Sequence, residues 1–166
     1  MNDTILETER LILRYQQEGD LEFLIALWTN AAITKYVGGP RDKDKLIVSF
    51  NDAATNPEKD EFDLWYVALK STGKLIGMAG LLEKEIENEK YHEINYYMDE
   101  EHWNNGYATE MAKGIIQYHH DKKKITTYIA IIEKDNIQSK KVAAKIGMTY
   151  WKTVSRSSGE KEIYKN

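Results

Sequence analysis

The chain has 166 residues, a length that suggests one domain burying roughly 70% of its unfolded surface without staples. It has 42% hydrophobic and 30% charged residues, a net charge of −4 and no cysteine. Those totals exclude disulfides, thiolate metal sites and a cysteine nucleophile, and they argue against general nucleic-acid binding, which relies on a basic face. No apolar run reaches the ~20 residues of a membrane span. The first residues, "MNDTILETERLILRY", carry acids and an arginine where a signal peptide is apolar. A soluble, cytoplasmic protein without nucleic-acid or membrane partners is therefore expected.

"RLILRY" (Arg10–Tyr15) reads as a first strand. "GDLEFLIALWTN" (Gly19–Asn30) places Leu21, Leu24, Ile25 and Trp28 at helical spacing, with Asp20 as N-cap. "YVGGP" breaks the chain, and a second helix is expected from about Asp42 to Ala54, ending near Asn56-Pro57. "FDLWYVALK" (Phe62–Lys70), "STG" and "KLIGMAGLLEKE" (Lys74–Glu85) form a hairpin pattern. The second strand is apolar on both faces from Leu75 to Leu82, as an interior strand would be. "YHEINYYMD" (Tyr91–Asp99) alternates, with Ile94, Tyr96 and Met98 on one side and Glu93, Asn95 and Tyr97 on the other.

"HWNNGYATEM" (His102–Met111) holds an Asn-Gly pair, the sign of a two-residue hairpin. The residues after it do not alternate. Ala108, Met111, Ala112, Ile115, Ile116 and His119 make one apolar stripe of period 3.6, ending in three lysines where cations suit the helix dipole. Asn105 then becomes an N-cap, and Gly106, Tyr107 and Ala108 a first turn whose N–H groups lack intrahelical partners. Such a start, with glycine for close approach, suits an anion; from the residues alone an ordinary capped helix is the commoner case.

"TTYIAIIE" (Thr126–Glu133) reads as a buried strand. "NIQSKKVAAKIG" (Asn136–Gly147) reads as a short helix capped by Asp135 or Asn136 and closed by Gly147. A last hairpin turns at "SSGE" (Ser157–Glu160). The order β-α-α-β-β-β-α-β-α-β-β implies an α+β fold with helices on a largely antiparallel sheet. No His/Asp/Glu spacing matches a metal site, so no metal is expected.

"INYYMDEEHWNNGYATEMAKGII" (Ile94–Ile116) resembles the central motif of the GCN5-related N-acetyltransferases, Gln/Arg-x-x-Gly-x-Gly/Ala between a strand and a helix. Trp103 stands in place of the Gln/Arg, and "GYATE" follows. Those two features are the habit of the branch that modifies ribosomal-protein N-termini. "ETERLILR" (Glu7–Arg14) and "DNIQSKKVAAKIGM" (Asp135–Met148) agree with that branch in order, so the resemblance spans the chain.

The resemblance implies acetyl-CoA as co-substrate, with the pantetheine arm between the strand before the motif and the strand after its helix. Backbone groups around Tyr97 and Met98 would pair with that arm and polarise the thioester carbonyl. The N–H groups of Asn104, Asn105, Gly106, Tyr107 and Ala108, following Trp103 and helped by the Thr109 hydroxyl, would hold the pyrophosphate. Asn136 would bond the pantetheine.

It further implies that Ser139 faces the coenzyme sulfur and protonates the leaving thiolate, because the tyrosine many members use falls at Ala143. On its residues alone, a serine such as Ser139 more often bonds back to its own helix or answers a cap. Glu93 is the candidate base against a plain exposed strand charge, and His92 competes for the role from the opposite strand face. Two departures stand out. Asn104 and Asn105 replace the loop's usual Gly/Arg and Lys/Arg, and Asn95 replaces a glycine on the acceptor side.

The function implied is direct acetyl transfer to a primary amine: a peptide N-terminus, a polyamine or another small amine. The rival is an acyl-CoA-binding module with the same fold and no turnover. A P-loop protein fails for want of Gly-Lys-Ser/Thr. A homodimer is compatible with all of this.

Overall fold

The computed structural model describes residues 3–55, 62–156 and 159–166. Among the described residues the strands are β1 (Thr4–Glu7), β2 (Leu11–Arg14), β3 (Leu64–Leu69), β4 (Leu75–Ile86), β5 (Glu89–Met98), β6 (Tyr128–Glu133), β7 (Thr149–Arg156) and β8 (Gly159–Lys165). The helices are α1 (Leu21–Thr29), α2 (Ala31–Thr34), α3 (Lys43–Thr55), α4 (Tyr107–Lys123) and α5 (Ile137–Lys145). The strands form one sheet in the order β1-β2-β3-β4-β5-β6-β8-β7. Every neighbouring pair is antiparallel except β5 and β6. The α+β expectation holds. No helix of the described residues is long and apolar enough to cross a membrane.

The alternation read from the sequence sorts side chains onto two faces. Val67, Ala79, Leu81, Ile94 and Met98 pack against Met111, Ala112 and Ile115 of α4 and Ala143 of α5. Tyr66 and Met78 pack on the other face against Leu24 and Leu27 of α1 and Phe50 of α3, with Tyr97 beside them. β4 is buried from Ile76 to Leu81, as its continuous apolar run requires.

Four expectations need correction. The single first strand is a hairpin, because Thr8 makes a turn without glycine or proline: its N–H donates to the Leu11 carbonyl at 2.9 Å and its hydroxyl accepts from the Leu11 N–H at 3.2 Å. Asn30 does not merely end α1; its Oδ1 accepts from the Ala32 N–H at 2.8 Å and starts α2. Asp20 precedes α1 but makes no side-chain cap, because its carboxylate is held by Arg14 at 2.7 and 2.8 Å and by the Gln17 N–H. Asn105 is not the cap of α4: Gly106 is, at φ +81°, a conformation costly for a side chain. The end of the second helix at Asn56-Pro57 and the first two residues of the "SSGE" turn lie outside the described residues.

Candidate active site

β5 and β6 pair in parallel only at His92↔Tyr128 and Glu93↔Ile129. Beyond Glu93 no register joins them, so the strands part into a cleft with Glu93 at its apex. α4 and α5 begin at the cleft's open end, because each follows one of the two diverging strands.

On β5 the backbone alternates between β4 and the cleft. A Cβ on Gly77 would lie 2.3 Å from the Tyr97 carbonyl oxygen, and the Asp99 N–H donates to the Ile76 carbonyl at 2.9 Å. Tyr97 and Asp99 therefore face β4, and Met98 between them faces the cleft. Its carbonyl is already taken: the Trp103 indole Nε1 donates to it at 2.8 Å. Only the Met98 N–H is left for a ligand, which narrows the expectation for the Tyr97 and Met98 backbone.

Trp103 thus closes the loop between β5 and α4. Asn104 and Gly106 both take left-handed φ, +62° and +81°, and the Asn105 side chain donates to the Trp103 carbonyl at 3.0 Å. No side chain caps α4, so its first N–H groups stay open. Thr109 and Ala108 are half-buried on the first turn. Arg10, just before β2, reaches this loop from a distant part of the chain. The Arg10 guanidinium donates to the Asn105 carbonyl at 3.1 Å and lies 4.5 Å over the Tyr107 ring. Glu110 anchors it at 2.7 Å and also accepts from the Thr8 hydroxyl at 2.6 Å. Burial raises the Glu110 carboxyl, but bonds from Thr8 and from the Arg10 backbone and guanidinium outweigh it and hold it below the usual range.

The opposite wall is the N-terminal turn of α5. Asn136 caps it, its Oδ1 accepting from the Ser139 N–H at 3.1 Å, so only the Asn136 amide N–H groups can turn to a ligand. Ser139 is half-buried, and its carbonyl accepts from the Tyr96 hydroxyl at 3.5 Å across the cleft. Tyr96 is the residue sequence reasoning passed over as ordinary sheet packing. Burial pushes its phenol up to about 12, and a hydrogen bond from the Ser139 side lowers it in part. Ala143 is 1% exposed and brings no hydroxyl.

Glu93 is not an exposed strand charge. It is 7% exposed, and burial raises its carboxyl above the usual range. Asn95, Lys84 at 3.9 Å, Arg156 and the Ile131 N–H offset that rise. The Tyr97 hydroxyl donates to Asn95 Oδ1 at 3.1 Å, making a polar line Glu93–Asn95–Tyr97 on the α1 face. His92 lies elsewhere, its ring 4.7 Å from Phe62. A group not anticipated from the sequence is Asp99, Glu101 and His102, whose donor atoms lie within 4.8 Å of one another. Glu101 is paired with Lys74 at 3.0 Å.

The sheet thus parts beside a helix start without a side-chain cap, an opening between two strands with N–H groups at its mouth. The sequence matches the family described as acetyltransferase (GNAT) domain over residues 10–149. The chain belongs to that family. It is 32% identical to the uncharacterized protein YkkB of Bacillus subtilis (strain 168) over 97% of this chain and 94% of that one. An acetyltransferase from Agrobacterium tumefaciens str. C58 superposes with a TM-score of 0.80 at 27% identity, covering 97% of this chain and 92% of that one. RimL, a ribosomal L7/L12 alpha-N-protein acetyltransferase solved with coenzyme A, shares the fold at a TM-score of 0.81 and 15% identity, over 98% of this chain and 97% of that one.

Proposed function

We propose that the protein transfers the acetyl group of acetyl-CoA directly to a primary amine in a ternary complex. The observation that carries this reading is the cleft beyond Glu93↔Ile129, with a buried carboxyl at its apex and open N–H groups at its mouth. Membership of an acetyltransferase family and the coenzyme bound by RimL support it.

The pantetheine arm lies in the cleft and the Met98 N–H donates to the thioester carbonyl, where negative charge grows in the tetrahedral intermediate. The N–H groups of Asn104 to Ala108 and the Thr109 hydroxyl hold the pyrophosphate behind the Trp103 brace, and Asn136 donates to the pantetheine. The neutral amine attacks from the Glu93–Asn95–Tyr97 side. An N–C bond forms, the C–S bond breaks, the nitrogen's proton passes to the Glu93 carboxylate directly or through water, and the sulfur takes a proton from Ser139; solvent returns a proton to Ser139 as Glu93 releases one. Tyr96 positions Ser139. With no cysteine in the chain, a thioester intermediate on the enzyme does not arise.

Ala143 favours a second reading, an acyl-CoA-binding module without turnover, because no phenol stands on α5 there. Thiol release from acetyl-CoA with a panel of peptides, amino acids and polyamines separates the two, with mass spectrometry of the acceptor. Amine-dependent thiol release and a 42-dalton gain on the amine (the mass of about one acetyl less one proton) are expected if catalysis depends on stabilising that transition state. Stoichiometric coenzyme binding with no amine-dependent release supports the module.

A further inference from the structure

We infer that the acceptor carries an anionic group, a carboxylate or a phosphate, besides its amine, and that Arg41 and Lys45 bind that group. This rests on the acetyl-transfer reading and names the acceptor's chemical class.

A cavity of about 370 Å³ lies between α1, α3 and the β3–β4 part of the sheet. Its apolar wall includes Leu24, Phe50, Met78 and Trp28. That volume suits a small molecule or one or two amino-acid residues. Met78 pairs with Tyr97 across β4 and β5, and the Trp28 and Tyr97 rings lie 4.5 Å apart. The cavity is therefore one strand away from the cleft, on the face that carries Glu93.

The charged groups around it are unequal. Asp42 is committed to the start of α3, its Oδ1 accepting from the Lys45 N–H at 3.0 Å. Asp63 accepts from the Leu64 N–H at 2.6 Å and has a further partner. Arg41 and Lys45 differ: among the described residues neither has a carboxylate partner, whereas Arg10 and Arg14 are both paired at 2.7 Å. Arg41 donates one N–H to the Val37 carbonyl at 2.8 Å and stands 5.8 Å from the Trp28 ring. Its guanidinium keeps further donors, in a fork suited to carboxylate or phosphate. The same charge reaches Tyr97, so it acts on the approach to the cleft.

The lining thus holds two carboxylates that already accept main-chain N–H groups beside two cations whose donors stay open. A polycation therefore finds no uncommitted carboxylate there among the described residues. An amine with an anionic tail finds the open donors. Its tail is held at Arg41 and Lys45, its apolar body fills the cavity, and its amine passes Trp28 and Tyr97 toward Glu93.

The test compares matched acceptors at saturating acetyl-CoA: an amino acid and its carboxamide, an aminoalkyl phosphate and its alcohol, and spermidine. The anionic member of one matched pair should have the lower KM by tenfold or more, with spermidine poorest. The pair that shows the difference identifies carboxylate or phosphate. Arg41→Gln should collapse that ratio, and Arg41→Lys should keep part of it, because the charge remains without the fork. Carboxamide, alcohol or spermidine turned over as well as the anionic compounds overturns the inference, as does a ratio unchanged in Arg41→Gln. Calorimetric binding of the same pairs, with coenzyme A present, needs no turnover. A charge preference in binding without thiol release overturns the transfer reading and keeps this one; thiol release without charge preference does the opposite.

Discussion

The indole of Trp103 is bonded through Nε1 to the main-chain carbonyl of Met98 at 2.8 Å, tying the loop before α4 to the end of β5. The bond spans five residues and uses the one Met98 group that would otherwise compete for a ligand donor. It explains how a tryptophan stands where a long polar side chain is usual. The indole N–H does the bracing, while the ring stays 42% exposed.

Trp103→Phe keeps the ring and removes the donor. Losing one such bond costs roughly 1 kcal/mol, so acetyl-CoA affinity should fall about fivefold and the unfolding midpoint by a few degrees. Calorimetric titration and thermal unfolding read the two effects. An unchanged affinity removes the brace from the coenzyme site.

Glu93 gives a pH prediction with a definite sign. Burial raises its folded-state value above the ordinary carboxyl value, so the group favours the folded state when protonated and loses that contribution as pH rises through the folded value. Glu93→Gln, neutral throughout, should therefore be more stable than wild type at pH 7 to 8, the difference closing below about pH 4 where both states are protonated. Activity should move the other way. If Glu93 accepts the amine's proton, kcat drops by about 10²-fold in the variant. Thermal unfolding and rate profiles across pH check both, and equal rates at every pH exclude Glu93 from the reaction.

Ser139 and Tyr96 are coupled across the cleft at 3.5 Å. Ser139→Ala should lower kcat with acetyl-CoA KM little changed. Tyr96→Phe should do the same to a smaller degree, because it only orients the α5 turn. The double variant should be no worse than Ser139→Ala, since the two act as one unit. Additive losses in kcat would separate them.

Gly77 is fixed by close approach and not by φ. An added Cβ meets the Tyr97 carbonyl oxygen at 2.3 Å and Met98 Cα at 3.2 Å, both backbone. Gly77→Ala must push β5 away from β4 and so shift the Met98 N–H. A loss on the order of 3 kcal/mol in denaturant unfolding is expected, as for overpacked sites, together with weakened coenzyme binding. Gly73→Ala, where nothing lies within 4 Å, should show only the backbone cost of φ +71°.

The parts legible in the sequence were those with a strong period. The α4 stripe and the apolar run of β4 predicted burial closely, and the alternation of β5 predicted which face each side chain takes, because that face follows from backbone geometry. Asn136 as cap and Gly147 as terminator also held, with Gly147 at φ +87°. What failed depended on partners distant in sequence. Asp20 reads as a cap until Arg14 claims it, and Glu93 reads as exposed until β6 and Asn95 surround it. Tyr96 could not be paired with Ser139, 43 residues on, by any local pattern. The Thr8 turn was hidden because a hydroxyl did the work usually left to glycine.

Arg10 carries one last consequence. Its bonds to Asn105 and Glu110 span 95 and 100 residues, so the guanidinium beside the loop before α4 belongs to another part of the chain. A peptide copied from the loop and α4 alone would be a poor mimic of the proposed pyrophosphate site. Two fragments split between β2 and α4, by contrast, should find each other more tightly when coenzyme is present, which makes that long-range contact a natural basis for a complementation sensor.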